Sequence, residues 1–266
     1  TADVDGPGDL VTYPMLAALS DGTLLFFRRE GPQTAAGIEL DVLEPGSTGW
    51  RHAGRVLDGR PTDESVYLHR VAVDPATDAV HLAFVFRADA DPASTNDLAH
   101  TVSHDRGRTW RDASGSMVAG PLTHRDVEIV IDTPDRGSGL VNSGGLAVDT
   151  RGRPHVAVNR RGAETVTEHV WLDHDGWQRR ALPVGTFQSR VAVAAPPDGS
   201  VWLIGAARGR IRLIEVSAGE PGRRTDGPRV PDGWEPTFDA EALATRGTFE
   251  VLVPEGDTPV VHVVDP

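Results

Sequence analysis

His69 stands in the run "SVYLHRVAVD", where it opens an apolar strand. An imidazole there can give or take a proton near neutral pH, or can serve as a hydrogen-bonded structural group. Arg87 and Arg160 close the apolar runs "HLAFVFR" and "HVAVNR". A guanidinium at a strand end can clamp a carboxylate through two parallel hydrogen bonds, or it can be a solvated terminus. His169 follows Glu168 and precedes Val170 and Trp171, which suits either a second base or a surface histidine on an outer strand. Asn142, in "GLVN", precedes another apolar strand and can meet a hydroxyl group. Trp234, next to Glu235 in "GWEPTFD", can stack on a flat ligand or plug a core. Each of these residues thus carries a functional and a structural reading side by side.

Other chemistries are excluded by composition. Every one of the 26 basic residues is Arg, so Schiff-base chemistry and a P-loop lysine are ruled out. The chain has no Cys, which removes disulfides, zinc thiolates and a thiol nucleophile. A formal net charge of −13 repels a phosphate backbone, so nucleic acid is not an expected partner. No apolar run approaches the roughly 20 residues of a membrane span. His100 and His104 have His-x-x-x-His spacing, but on a strand they lie roughly 13 Å apart, too far to share an ion. Both are expected to be exposed. His81 and His155 fall inside alternating strands and read as packing residues. No metal site is read and no cofactor is expected; a structural calcium would leave no trace in this sequence.

The elements that must position these groups come from an internal repeat. Five segments share one pattern, starting at Pro14, His69, Gly144, Ser189 and Asp239, about 45 to 75 residues apart. Each is an apolar strand, a turn with Asp, Gly or Pro, and a second apolar strand, as in "PMLAALSDGTLLFFRRE" and "DAEALATRGTFEVLVPE". Asp-Gly and Arg-Gly between β-formers predict hairpins, because Gly accepts the positive φ of such turns. Continuous apolar runs such as "VHLAFVF" predict strands buried on both faces. More polar strand pairs follow, as in "DLAHTVSHDRGRTWRDA", "TEHVWLDHDGWQRRAL" and "GRIRLIEVSAG". Four strands per unit, apolar inside and polar outside, predict an all-β fold, a β-propeller of about five blades forming one domain over 1–266. The fifth unit reaches "PVVHVVDP" after roughly three strands, and "TADVDGPGDLVT" at the other end carries little strand signal to complete it. A start without Met leaves room for a leader or further N-terminal sequence.

The stretch "SHDRGRTW", Ser103 to Trp110, resembles the Asp box of bacterial neuraminidase repeats, a turn between the third and fourth strands of a blade. Asp105 and Thr109 are expected to satisfy turn amides, Gly107 to take the strained angle and Trp110 to pack between sheets. "DHDGW", Asp173 to Trp177, is a degenerate version. The ordered series "TYPMLAALSDGTLLFFRREG", "SVYLHRVAVD", "TNDLAHTVSHDRGRTWRDASG", "GLVNSGGLAVDTRGRPHVAV", "EHVWLDHDGW" and "GWEPTFDAE" resembles the bacterial-neuraminidase-repeat proteins that include ulvan lyases and related seven-bladed polysaccharide lyases. That resemblance implies β-elimination beside a uronic acid and a ring with about two further blades. It makes His69 the first catalytic histidine. It sets Asn96 where a second histidine is expected, and Thr167 or Glu168 where a tyrosine is expected; Tyr13 and Tyr67 fall elsewhere. Arg160 and Arg190 stand in by sequence proximity for a later arginine.

Three functions remain open: a polysaccharide lyase acting on an acidic polysaccharide or oligosaccharide, a non-catalytic glycan-binding propeller, and a sialidase suggested by the Asp box alone. A sialidase needs an arginine triad and a tyrosine nucleophile, which suits a chain with 2 Tyr poorly. A polymeric glycan is met outside the cell, so an extracellular or periplasmic setting is expected.

Overall fold

The computed structural model describes residues 11–161, 163–216, 222–232, 234–255 and 258–264. Two compact units, Thr1–Ser143 and Gly144–Pro266, divide the chain.

In the first unit, strands β1 (Val11–Ala18), β2 (Leu24–Glu30), β3 (Gly37–Leu43) and β4 (Arg51–Leu57) form a four-stranded antiparallel sheet in chain order. A second sheet orders β5 (Ser65–Val73), β6 (Val80–Arg87), β7 (Thr95–Ser103), β8 (Trp110–Arg111) and β9 (Met117–Val118). Strand β10 (Glu128–Ile131) also pairs with β7. The outer edge of β7 is thus covered in two pieces: Val102 faces β8, while Leu98, Ala99 and His100 face β10. Between these pieces the chain crosses to the first sheet. There Leu122 accepts from the Asp58 amide at 2.8 Å and donates its own amide to Val56, also at 2.8 Å. The repeat pattern did not foresee this excursion, because its strands are only two to four residues long.

β6 is buried along seven of its eight residues, as "VHLAFVF" requires. Leu25, Phe27, Ile38 and Leu40 of the first sheet form one core with Leu68, Leu82, Phe84, Phe86 and Trp110 of the second. Burying a side chain of this size contributes about 1.5–3 kcal/mol, which is what holds two otherwise separate sheets together. The Ser103–Trp110 turn sits on that core. Ser103 Oγ donates to Asp105 Oδ1 at 2.8 Å and accepts from the Gly107 amide at 2.8 Å. The Thr109 amide and hydroxyl donate to the two oxygens of Asp105 at 2.8 and 2.6 Å. Gly107 has φ +81°, and a Cβ there would lie 2.5 Å from Leu40 Cδ2. A side chain there would sit at a strained positive φ and would have to push the Leu40 side chain aside.

In the second unit, β11 (Leu140–Val148, which begins in the first unit), β12 (Pro154–Arg161), β13 (Thr165–Asp173) and β14 (Gly176–Ala181) form one four-stranded sheet. β15 (Ala192–Ala194), β16 (Trp202–Ala207), β17 (Arg210–Glu215) and β18 (Arg224–Arg229) form another, and β19 (Phe249–Glu255) pairs with β20 (Thr258–Val264). Phe187 and Val191 pack with Leu203 and Ile214, while Trp202 and Ile204 pack with Phe249 and Val251. Gly145 on β11 lets the backbone of Val193 pass, since a Cβ would lie 2.4 Å from that amide nitrogen.

Of the five predicted hairpins, four are found. The segment from Asp239 is instead helix α1 (Ala240–Arg246) leading into β19. Asp239 caps it by accepting from the Ala242 amide at 2.8 Å, and Gly247 ends it in the left-handed conformation. An Asp N-cap, an Ala-rich turn and a C-terminal Gly are helix signals, and here they outweigh the strand reading of "EALATRG". The predicted contribution of residues 1–10 to a last blade lies outside the described residues.

Candidate functional site

The strongest convergence of chemically useful side chains lies on one edge of the first unit, where β1, β5 and β7 begin and β2 and β6 end. Tyr67, on β5, is held between two guanidinium groups: Arg29 lies 4.4 Å and Arg87 4.1 Å from its ring centroid. Arg87 Nη1 also donates to the Tyr67 hydroxyl at 3.0 Å, and Arg87 Nε to Thr95 Oγ1 at 3.3 Å. Arg29 is buried and donates to Ser65 Oγ at 3.1 Å and to the Pro32 carbonyl at 3.3 Å. Burial holds its pKa below the ordinary arginine range. Tyr13 meets Tyr67 edge-on, with centroids 5.3 Å apart. Its backbone φ is +54°, a left-handed value that costs a non-glycine residue roughly 1–3 kcal/mol, and its side chain is 38% exposed.

Two residues along β5 from Tyr67 comes His69, at a register shift between Leu68 and Arg70. A bulge adds a residue to one strand and re-aims its side chains. His69 is fully buried, whereas Arg70 beside it reaches solvent. Among the described residues the Arg70 side chain makes no hydrogen bond or ion pair. Surrounding protein lowers its pKa, although the residue is exposed. The sequence reading passed over Arg70, although an arginine inside an otherwise apolar first strand is a visible signal.

The same edge carries a second device that the sequence reading missed. His124 is clamped by Glu64, Nδ1 to Oε2 at 2.8 Å, and by Asp97, Nε2 to Oδ2 at 2.9 Å. Its ring stacks on Phe86 at 3.8 Å. Burial works against its charge, but the two carboxylates prevail and raise its pKa. Asp97 has φ +43° and is itself fixed by the Thr133 amide at 2.6 Å.

The remaining sequence candidates occupy other surroundings. Asn96 is fully buried, its amide donating to the Ser94 carbonyl at 3.1 Å. Asn142 is buried on β11. In the second unit, Arg160 on β12 pairs with Glu168 at 3.1 Å. Thr167 is buried and accepts from Asn159 Nδ2 at 3.2 Å. His169 is buried rather than on a surface; its Nε2 meets His155 Nδ1 at 2.9 Å and its ring stacks on Trp171 at 4.8 Å. Burial, His155 and Arg180 together lower its pKa to about 3. His100, expected to be exposed, is also buried, with Nε2 3.1 Å from His81 Nδ1. It lies in the middle of β7, where β10 covers the edge. His104 is exposed, as expected. Arg190 Nη1 donates to Glu235 Oε1 at 3.0 Å. Trp234 joins the core, with Nε1 donating to the Leu252 carbonyl at 3.0 Å, so of its two sequence readings the packing one holds. The structure therefore sets Arg87 against Tyr67, two residues along β5 from His69, and separately pairs Arg190 with the neighbour of Trp234. No group of three or more His, Cys, Asp or Glu suited to a metal occurs among the described residues.

Repeated antiparallel four-stranded sheets, each in chain order, define an all-β fold of propeller blade-like units. The chain belongs to the BNR repeat-containing family, which it matches over residues 3–184. Among solved structures it is similar to a polysaccharide lyase, with TM-score 0.67 and 16% identity over 92% of this chain and 55% of that one. It is also similar to an ulvan lyase bound to a glucuronate and sulfated-rhamnose repeat, with TM-score 0.70 and 14% identity over 96% of this chain and 64% of that one. A Hadza microbial sialidase gives TM-score 0.59 and 13% identity over 91% of this chain and 52% of that one. At these identities the likeness is one of fold. A sequence relative, Filamin-C of Mus musculus, is 26% identical over 97% of this chain and 10% of its own length. The chain thus spans about a tenth of that relative and little more than half of the first lyase. No described helix is long and apolar enough to cross a membrane.

Proposed function

We propose that the chain is a glycan-directed propeller that grips the carboxylate of a uronic-acid unit through Arg70, and that it acts as a β-eliminating polysaccharide lyase. The carrying observation is the Arg70 side chain, solvent-open and without an ion-pair partner among the described residues, beside the bulge that holds His69. A planar guanidinium matches a carboxylate in geometry and keeps its charge at any working pH. Neutralising that carboxylate stabilises the carbanion formed when a base removes the adjacent ring proton. The electron pair then forms a carbon–carbon double bond as the glycosidic C–O bond breaks, and an acid protonates the departing oxygen. His69 and Tyr67 are the groups on β5 able to exchange protons, and Arg29 and Arg87 fix the Tyr67 ring. Tyr13 offers an exposed aromatic face for a sugar ring. Arg160, Arg190, His169 and Asn142 are assigned to the frame of the fold. The proposal treats the chain as one propeller domain acting on polymers outside the cell.

Incubation with ulvan and other uronate polysaccharides should raise ultraviolet absorbance from the new unsaturated uronyl end, and His69→Ala should abolish that rise. A second reading, a glycan-binding propeller without catalysis, is favoured by the full burial of His69 and by the buried Asn96 where a second histidine was expected. A flat absorbance trace with retained, Arg70-dependent binding would establish it in place of the lyase. Release of sialic acid from a fluorogenic sialoside would overturn both.

A further inference from the structure

A second site lies on the opposite edge of the first unit, where β3 ends, β4 begins and the Ser103–Trp110 turn folds over. A cavity of about 360 Å³ opens there between β4, the turn and the stretch from Met117 to Pro121. That volume falls within the range of small-ligand pockets. Its floor is apolar, with Leu40 and Trp110, and Met117 at its mouth is 63% exposed. Its charged lining is entirely cationic: Arg51, Arg55, Arg106 and Arg108, with no Asp or Glu. In a chain of net charge −13 such a lining is far from the average surface.

The four guanidinium groups are not equivalent. Arg55 is committed to Glu39 and Asp58, and Arg106 reaches outward to Asp21 at 2.6 Å. Arg51 has only a loose contact with Glu44, at 3.8 Å, and the Arg108 side chain makes no ion pair among the described residues. Two cations at the rim are therefore available above an apolar floor. We infer that this cavity binds an acidic sugar unit, its carboxylate held by Arg51 and Arg108 and its C–H face against Trp110 and Met117. The choice of a uronate rests on the glycan reading above; the anion site does not. A sugar bound on this edge would hold a polymer at a second point, on the side away from β5.

The test uses the full chain labelled at its methionine methyl groups, of which there are two, Met15 and Met117. Sodium glucuronate should shift the Met117 resonance saturably and leave Met15 in place, while glucose should not. The Arg51→Gln, Arg108→Gln variant, which removes two exposed and loosely paired groups, should weaken that binding by about tenfold or more. In Arg70→Ala the Met117 titration should persist, so failure of the β5 reading is distinguishable from failure of this one. An unchanged affinity in the double variant overturns the proposal, as does loss of the Met117 shift in Arg70→Ala. Equal affinity for sodium sulfate also overturns it, since a sugar body would then contribute nothing.

Discussion

His169 Nε2 lies 2.9 Å from His155 Nδ1, at the same register at which His100 meets His81 in the sheet before it. In both sheets the second-strand histidine stands opposite the residue two positions after the third-strand histidine: His155 faces Trp171, and His81 faces Val102. Asp149 contacts the outer nitrogen of His155 at 3.3 Å. A contact that recurs with the repeat is a packing device of the sheet. Substituting His169 by Gln is therefore expected to lower Tm while leaving activity per folded molecule unchanged.

These pairs also set an acid limit. Burial lowers the pKa of His81 to about 4 and that of His169 to about 3, whereas an unfolded histidine titrates near 6.5. Between those values the unfolded chain binds more protons, so stability falls as pH drops below about 6.5. Urea unfolding from pH 7 to pH 4 should show this slope, and His169→Gln should reduce it.

His124 has the opposite sign. Its pKa is raised by Glu64 and Asp97, so its stabilisation is complete below the unfolded value and disappears as pH rises through the folded one. His124→Gln should therefore destabilise the chain more at pH 6 than at pH 9. A nuclear magnetic resonance titration of the ring should place its midpoint above about 6.5.

At the Ser103–Trp110 turn, Asp105→Ala leaves the Thr109 amide and hydroxyl without their acceptor and should cost about 1–3 kcal/mol. Gly107→Ala should cost as much or more, because φ is +81° and Leu40 occupies the space. Leu40→Ala should relieve the steric part of the Gly107→Ala penalty, a coupling that a double-mutant cycle in denaturant would measure.

Arg70→Ala is expected to leave Tm unchanged, since its side chain has no ion pair among the described residues to lose. Binding of a uronate polymer should weaken by about tenfold or more, and Arg70→Lys should restore only part of it, because an ammonium cannot form the fork.

Four hairpins and the Ser103–Trp110 turn were legible because hydrophobic alternation and turn chemistry are local properties of the chain. The fate of Asp239–Gly247 was legible too, but its capping signals were read as another copy of the repeat. Burial of His100 was not, because β10 covers it from nearly thirty residues further along the chain. The exposure of Arg70 depends on which guanidinium groups find carboxylates, and with 26 Arg against 39 Asp and Glu a sequence alone does not say which are left over. Arg87 was picked out by its place at a strand end, yet its contact is the Tyr67 ring, a partner that spacing could not supply.

The excursion that leaves β9, touches Val56 and Asp58 and returns as β10 laces the first two sheets together with a single length of chain. A force pulling those sheets apart would have to peel this strap from both before their shared core could open. The seam should therefore fail all at once under load, not strand by strand.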